Sequence, residues 1–149
     1  MNELPEISQL LPHDAPMIMI KELVAVGKDR VHCRVLIDES CLFFDHELRT
    51  VPGYVGIEFM AQTVAALSGY HTLGRGEQPP IGFLLGGRSY RSELSVFEEG
   101  MILDIHGKQL LLNENMASFF CTIEYNGKVK VECELNVFEP PKEIKVRLT

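Results

Sequence analysis

The chain has 149 residues, 46% of them hydrophobic, so it is long enough and apolar enough for one domain with a packed core. Its formal net charge of −7, with no basic run that contains aromatic residues, argues against a nucleic-acid-binding protein. Met1 is followed by polar and acidic residues instead of a basic and then apolar leader, and no segment of membrane-spanning length is free of Gly, Pro and charge. We therefore expect a single cytoplasmic domain over residues 1–149, without a nucleic-acid or membrane partner.

Two strand-like segments follow an N-terminal region that ends at Leu11-Pro12-His13. Residues 17–26 form an apolar run that resembles a strand. Residues 29–38 alternate between apolar and polar side chains, as a half-buried strand does. The apolar face of this second strand consists of Val31, Cys33, Val35 and Ile37.

The next segment, residues 41–50, predicts a loop that holds His46. His46 precedes Glu58, a carboxylate in the apolar run that follows, by twelve residues. A loop of this length can fold back over the start of a helix, so an imidazole and a carboxyl group could share one small space and act as base and acid. The alternative for a lone histidine is a surface or capping position.

Residues 51–70 predict a long helix that is apolar on nearly all sides and carries a single carboxylate, Glu58. Such a helix is normally enclosed by its own protein, and a carboxyl group there is rare unless it is paired, hydrogen-bonded or kept protonated. Glu58 is therefore the first candidate for chemistry. The alternative is a structural glutamate that is satisfied by a neighbouring donor.

The first turns of this predicted helix carry further residues that could bind or orient reacting groups. Pro52 suits a first-turn position, and Gly53 lets another group approach the backbone. The free N–H groups of a helix start, at the positive end of its dipole, could bind a developing oxyanion. Gln62 lies four residues after Glu58 on the same face, where its amide can hold a carboxyl group or a water.

The second half of the chain is mainly strand-like. A stretch rich in Gly and Pro at residues 74–80 ends the helix, and residues 101–112 form a further strand. Residues 115–125 and 128–138 flank Asn126-Gly127, a strong hairpin pattern. Five or six antiparallel strands with one long buried helix predict an α+β protein of the hotdog type, in which the sheet wraps around the helix.

The four cysteines show no spacing typical of a metal site. Cys33, Cys121 and Cys133 fall within predicted strands, so we expect buried reduced thiols and neither a metal site nor a disulfide framework.

Three segments resemble the β-hydroxyacyl-acyl carrier protein dehydratases, a hotdog-fold family. Residues 11–20 look like the family's Leu-Pro-His-x-x-Pro entry, and residues 127–135 resemble its last strand. Phe43-Phe44-Asp45-His46 and residues 51–62 are similar to its His loop and its Met-Pro-Gly-x-x-x-x-Glu-x-x-x-Gln helix. A divergent branch that looks similar is found in aryl-polyene-type gene clusters, where such dehydratases can act with a related partner subunit.

The resemblance implies the dehydration of a 3-hydroxyacyl thioester. His46 would remove the α-proton, Glu58 would protonate the departing hydroxyl, and Gln62 would orient Glu58 or the water. The Gly53 N–H would bind the thioester oxygen, with Tyr54 beside it among the substrate-binding residues. The resemblance also implies no cofactor and no metal, and a homodimer or higher homo-oligomer in which His46 and Glu58 of different subunits meet.

One departure from the family pattern leaves two alternative functions open. His46 lies seven residues before Gly53, whereas the family spacing is nine. A non-catalytic subunit that stabilises a paralogous dehydratase would fit this shortened loop. A hotdog acyl thioesterase would use the helix carboxylate without the histidine.

The expected protein partner is the acyl carrier protein that holds the substrate. Acyl carrier proteins are acidic, so a chain with a net charge of −7 would need a local basic patch to bind one. The candidates are Arg49, Arg75, Arg88 and Arg91.

Overall fold

The computed structural model describes residues 4–11, 17–77 and 83–138, which form eight β-strands and one α-helix. The first three strands are β1 (Glu22–Val26), β2 (Arg30–Leu36) and β3 (Thr50–Pro52). A short 3-10 turn, Gly53–Val55, leads into the helix α1 (Gly56–Gly74). The remaining strands are β4 (Phe83–Ser92), β5 (Val96–Glu98), β6 (Ile102–Asn113), β7 (Met116–Tyr125) and β8 (Lys128–Phe138).

Six of the strands form one antiparallel sheet in the order β1-β2-β6-β7-β8-β4, and β3 pairs with β5 in a separate ribbon. The inner face of the sheet packs on α1, whose residues Phe59, Met60, Val64 and Leu67 are buried. Gly107 of β6 lies under Val64, where an added Cβ would approach Val64 Cγ1 to 3.0 Å. A sheet wrapped around one long helix is the hotdog fold, as predicted.

Several predicted elements are confirmed closely. The strand predicted at 29–38 is β2, the one at 101–112 is β6, and the hairpin around Asn126-Gly127 joins β7 to β8. Asn126 and Gly127 both have positive φ, the conformation that this two-residue turn requires. Cys33, Cys121 and Cys133 are buried, as expected, and none of the three forms a disulfide within the described residues; burial raises the pKa of Cys33 to about 12.

Other predictions were wrong at the element boundaries. Only Glu22–Val26 of the strand predicted at 17–26 is a strand. The helix predicted from residue 51 begins at Gly56, because Val51 and Pro52 are extended and pair with β5. A residue that precedes proline is pushed away from helical backbone angles, which explains the extended Val51. Pro12, His13 and residues 78–80, which entered the sequence predictions, lie outside the described residues.

None of the helices in the described ranges is long and apolar enough to span a membrane.

Candidate functional site

Glu58 lies in the first turn of α1 on the less buried face of the helix. This face also carries Ile57, Ala61, Ala65 and Ser68, at the spacing of three or four residues that places side chains on one side of a helix. In the single chain Glu58 is therefore partly exposed, and the fully enclosed carboxyl group expected from the sequence is not observed. A partly exposed carboxyl group on a buried helix can meet a substrate.

Gln62 holds Glu58 from one turn further along the helix. Its side-chain nitrogen, Nε2, donates to Glu58 Oε1 at 3.3 Å and to the Met17 carbonyl at 2.8 Å. Its oxygen accepts the Met19 N–H at 2.8 Å, and Gln62 itself is 1% exposed. All polar atoms of the amide are therefore bound to the protein. Gln62 thus contacts Glu58 at the four-residue spacing that the sequence shows, and it also ties residues 17–19 to the helix.

His46 lies on the loop between β2 and β3, as the sequence predicts, and is exposed. It borders a cleft of about 390 Å³ that is lined by residues 40–44 and by Ile18, Met19 and Lys21. Its ring packs edge-on against Phe44, with 5.2 Å between the ring centroids. The segment that Gln62 anchors therefore forms one wall of the cleft that His46 borders.

Two residues to which the sequence analysis gave no role in the loop hold the His46 loop in shape. Asp45 Oδ1 accepts the N–H groups of Glu47 and Leu48, at 2.9 and 3.0 Å. Arg49 lies over the Phe44 ring at 5.0 Å and binds Glu99 through two hydrogen bonds. Asp directly before a tight turn is a sequence pattern that could have identified the first of these roles.

Glu99 and Arg49 perturb each other's ionisation at the edge of the loop. A hydrogen bond from Arg49 lowers the pKa of Glu99, and the same contact raises the pKa of Arg49. Both groups are exposed to solvent, so the pair positions the loop without contributing much stability.

The role predicted for the Gly53 N–H is wrong in this structure. That N–H already donates to the Ser95 carbonyl at 2.9 Å, and the Gly53 carbonyl accepts the Tyr90 hydroxyl at 2.6 Å. A Cβ at Gly53 would lie 2.7 Å from Leu94 O and 2.8 Å from Ser95 O. Glycine is required at this position for close packing of two backbone segments, which sequence spacing could not reveal.

Tyr54 follows Gly53 in the 3-10 turn, and its side chain is 71% exposed. Its backbone N–H belongs to the leading amides of the helical segment, which helix geometry leaves without a carbonyl partner. Tyr54 is thus free to contact a ligand at the start of the helix, whereas Gly53 is not.

His46 and Glu58 are not joined within one chain. Among the described residues no hydrogen bond or ion pair connects them, and Glu58 does not line the cleft at His46. Residues 4–11, 17–77 and 83–138 also contain no group of three or more His, Cys, Asp or Glu side chains that could hold a metal ion.

Three of the four arginines expected to bind a carrier protein are paired with carboxylates. Arg49 is paired with Glu99, Arg75 with Glu77 at 3.2 Å, and Arg91 with Glu132 at 3.1 Å. The side chain of Arg88 lies outside the part of the chain that the structure describes. Each pair cancels the local charge on which attraction of an acidic partner depends.

The fold and the helix carboxylate define a hotdog protein, and comparison with known proteins gives the family. The model of the ApeP-like family, described as ApeP dehydratase, matches residues 5–148. The chain therefore belongs to the ApeP-like dehydratases, which confirms the resemblance to the aryl-polyene branch.

A solved structure of a dehydratase complex supports this family, and a more distant one shows the same fold. A chain of the dehydratase heterocomplex ApeI:P from Xenorhabdus doucetiae is 34% identical, with a TM-score of 0.89 over 98% of this chain and 98% of that chain. A hypothetical thioesterase with coenzyme A from Streptococcus pneumoniae TIGR4 is 13% identical, with a TM-score of 0.61 over 79% of this chain and 86% of that chain. The second likeness shows the fold alone. No curated protein matches the chain significantly.

Proposed function

We propose that the chain dehydrates a 3-hydroxyacyl thioester on an acyl carrier protein to the trans-2-enoyl thioester, in fatty-acid or polyene synthesis. The observation that carries this proposal is the carboxyl group of Glu58, which is partly exposed in the first turn of α1 and held through Oε1 by Gln62. This arrangement leaves the second oxygen of Glu58 to meet a substrate, in a chain that belongs to a dehydratase family.

In the proposed reaction His46 removes the α-proton of the substrate. The electrons of that C–H bond form the new double bond while the bond from the β-carbon to the hydroxyl breaks. Glu58 protonates the departing hydroxyl, which leaves as water. Glu58 is then a carboxylate and His46 an imidazolium, and return of the proton from His46 to Glu58 restores the starting state.

The proposed site needs two further features. Negative charge develops on the thioester oxygen as the α-proton leaves, so the site needs a hydrogen-bond donor to that oxygen. Because the Gly53 N–H already donates to Ser95, the candidate donor is the Tyr54 N–H at the helix start. Because His46 and Glu58 do not meet within one chain, the proposed site combines His46 of one subunit with Glu58 of another. The partly exposed Glu58 face of α1 is available for such a neighbour.

The direct test is an assay of the purified protein with 3-hydroxyacyl thioesters on acyl carrier protein and on coenzyme A. We expect enone formation, and a loss of at least ~100-fold in turnover for Glu58→Gln, as removal of a general acid produces. Because the side chain is partly exposed, the melting temperature should not change. Normal turnover by Glu58→Gln would contradict the proposal, and release of free acid without enone would indicate a thioesterase.

A second candidate function is that of a non-catalytic subunit of a related dehydratase. It is favoured by the exposure of His46 and by its spacing from Gly53, two residues shorter than the family pattern. The similar ApeI:P structure is a heterocomplex. If this function is correct, the chain alone is inactive, and a complex with a related dehydratase keeps its rate when this chain carries Glu58→Gln.

A further inference from the structure

Tyr90 lies in a bulge of strand β4. The pairing register of β4 with β8 shifts between Arg88 and Arg91, and the two residues between them, Ser89 and Tyr90, form the bulge. Ser89 has a φ of 54°, a left-handed conformation that is uncommon for residues other than glycine. Bulges turn a side chain out of the regular alternation of a strand, and they often occur next to active sites. Here the Tyr90 hydroxyl reaches the 3-10 turn before α1 and donates to the Gly53 carbonyl at 2.6 Å.

Gly56, the first residue of α1, makes room for the Tyr90 hydroxyl. A Cβ at this position would collide with the Tyr90 oxygen, and it would also approach Phe97 Cζ to 3.3 Å. The phenol of Tyr90 is partly buried, and burial raises its pKa to about 12. The hydroxyl therefore keeps its proton at physiological pH and donates it to the Gly53 carbonyl.

The Gly53 carbonyl belongs to the same planar peptide unit as the Tyr54 N–H. This peptide bond is trans, so its C=O and N–H point in opposite directions. The carbonyl accepts two hydrogen bonds, from the Tyr90 hydroxyl and from the Gly56 N–H. Together these two donors fix the plane of the peptide and direct the Tyr54 N–H away from the body of α1. No carbonyl or side chain in residues 4–11, 17–77 and 83–138 accepts that N–H.

The hydrogen bond to the carbonyl also affects the strength of the N–H as a donor. A carbonyl that accepts a hydrogen bond draws electron density from its peptide unit, so the N–H of the same unit becomes a stronger donor. In connected hydrogen bonds this strengthening is about 10–30% per bond. The Tyr90 hydroxyl therefore both orients and strengthens the Tyr54 N–H.

We propose that Tyr90 is a positioning residue for the dehydration, which acts on the thioester oxygen through the peptide unit between Gly53 and Tyr54. The inference rests on the proposed function, in which the Tyr54 N–H binds that oxygen. Tyr90 does not touch the substrate. It aligns the peptide before the substrate arrives, so the donor needs no reorganisation when negative charge develops on the oxygen.

A positioning role and a merely structural role of Tyr90 predict different kinetics. The thioester oxygen gains its charge only as the α-proton leaves, so a better donor stabilises the transition state more than the bound substrate. Loss of the hydroxyl should therefore lower kcat and leave KM unchanged. If the hydroxyl only stabilises the fold, the folded variant keeps the kcat of the wild type and loses only free energy of unfolding.

Nuclear magnetic resonance of the 15N-labelled chain without substrate measures the peptide directly. In Tyr90→Phe we expect the Tyr54 amide 15N and 1H signals to move upfield, and by more than those of any residue in 57–74, because the carbonyl of that peptide loses a donor. Tyr70→Phe, which removes a partly buried hydroxyl near the other end of α1, is the matched control and should leave the Tyr54 signals in place. The same spectra show whether each variant is folded. Unchanged Tyr54 signals in Tyr90→Phe would overturn the proposal.

Dehydration kinetics of the same two variants test the effect on the reaction. We expect Tyr90→Phe to lower kcat about 3–10-fold at unchanged KM, a smaller loss than the roughly 100-fold or more that follows removal of an oxyanion donor itself. Tyr70→Phe should keep both constants. A wild-type kcat in Tyr90→Phe, or a change in KM alone, would show that the role of Tyr90 is wrong while the dehydratase function stands. If the wild type forms no enone, the proposed function fails, and the role of Tyr90 in it fails as well.

Discussion

The amide of Gln62 links Glu58 to the backbone of residues 17–19. Since the Met19 N–H can only donate, the Gln62 oxygen must face it, and the nitrogen must then face Glu58 Oε1 and the Met17 carbonyl. Glu58 Oε1 is consequently an acceptor, and a proton on this carboxyl group belongs on the other oxygen. The helix thus presents Glu58 in one orientation, with the acidic oxygen away from Gln62.

Gln62→Met tests this link because methionine has nearly the same size and no hydrogen-bonding amide. The buried Met19 N–H loses its acceptor, so we expect a loss of about 1–3 kcal/mol in the free energy of unfolding. Glu58→Gln is the control, since it disturbs only the contact at 3.3 Å. Urea denaturation of both variants measures the difference. Equal stability of Gln62→Met and the wild type would mean that residues 17–19 do not depend on this amide.

Gly53→Ala tests the structural explanation of that glycine. The added Cβ would lie 2.7 Å from Leu94 O and 2.8 Å from Ser95 O, and neither backbone oxygen belongs to a flexible side chain. We expect destabilisation of about 1–3 kcal/mol, typical of overpacking. Gly74→Ala is the control. A Cβ added at Gly74 would have no neighbouring atom within 4 Å, and alanine is a better helix former than glycine, so this variant should be neutral or more stable by up to ~1 kcal/mol. A Gly53→Ala variant that unfolds like the wild type would contradict this assignment.

The long strands and the hairpin could be predicted from the sequence because their patterns are local. Strand β2 alternates regularly, and Asn126-Gly127 determines the turn between β7 and β8. The helix start was harder to predict, since the pairing of Val51 and Pro52 with β5 depends on residues more than forty positions away. Apolar composition alone did not distinguish that short strand from a first helical turn.

In the candidate site, too, local features could be predicted and features that depend on distant residues could not. Glu58 and Gln62 share a face because of their four-residue spacing, which the sequence displays directly. The occupied Gly53 N–H could not be predicted, because its acceptor, Ser95, lies in a distant segment. The pairing of Arg49 with Glu99 likewise depends on tertiary structure. It neutralises the charge of an arginine that the sequence suggested for binding a carrier protein.

The Tyr90 hydroxyl predicts a pH dependence of stability. Burial raises the pKa of Tyr90 from 10.0 to about 12, and the hydroxyl donates to the Gly53 carbonyl at 2.6 Å. Between these two values the unfolded chain releases the proton while the folded chain keeps it, so the free energy of unfolding falls as the pH rises. Below pH 10 this contribution is fully present.

Tyr90→Phe is the matched variant, since it lacks both the hydrogen bond and the titration. At neutral pH we expect it to be less stable than the wild type by about 1 kcal/mol. This difference should shrink as the pH rises from 10 towards 12. Denaturation at a series of pH values measures the difference, and a constant gap would show that Tyr90 does not titrate in this way.

Mixing two inactive variants tests whether the site is shared between subunits. His46→Ala chains retain Glu58, and Glu58→Gln chains retain His46. In a heterodimer of the two, one of the two sites combines both wild-type residues. Random pairing makes half of the dimers mixed, so co-refolding should restore about a quarter of the wild-type dehydration rate if the sites act independently. The same amounts of each variant, refolded separately and then combined without exchange, provide the control. If mass measurements show mixed dimers without recovered activity, each site is built within one chain or requires a different partner subunit.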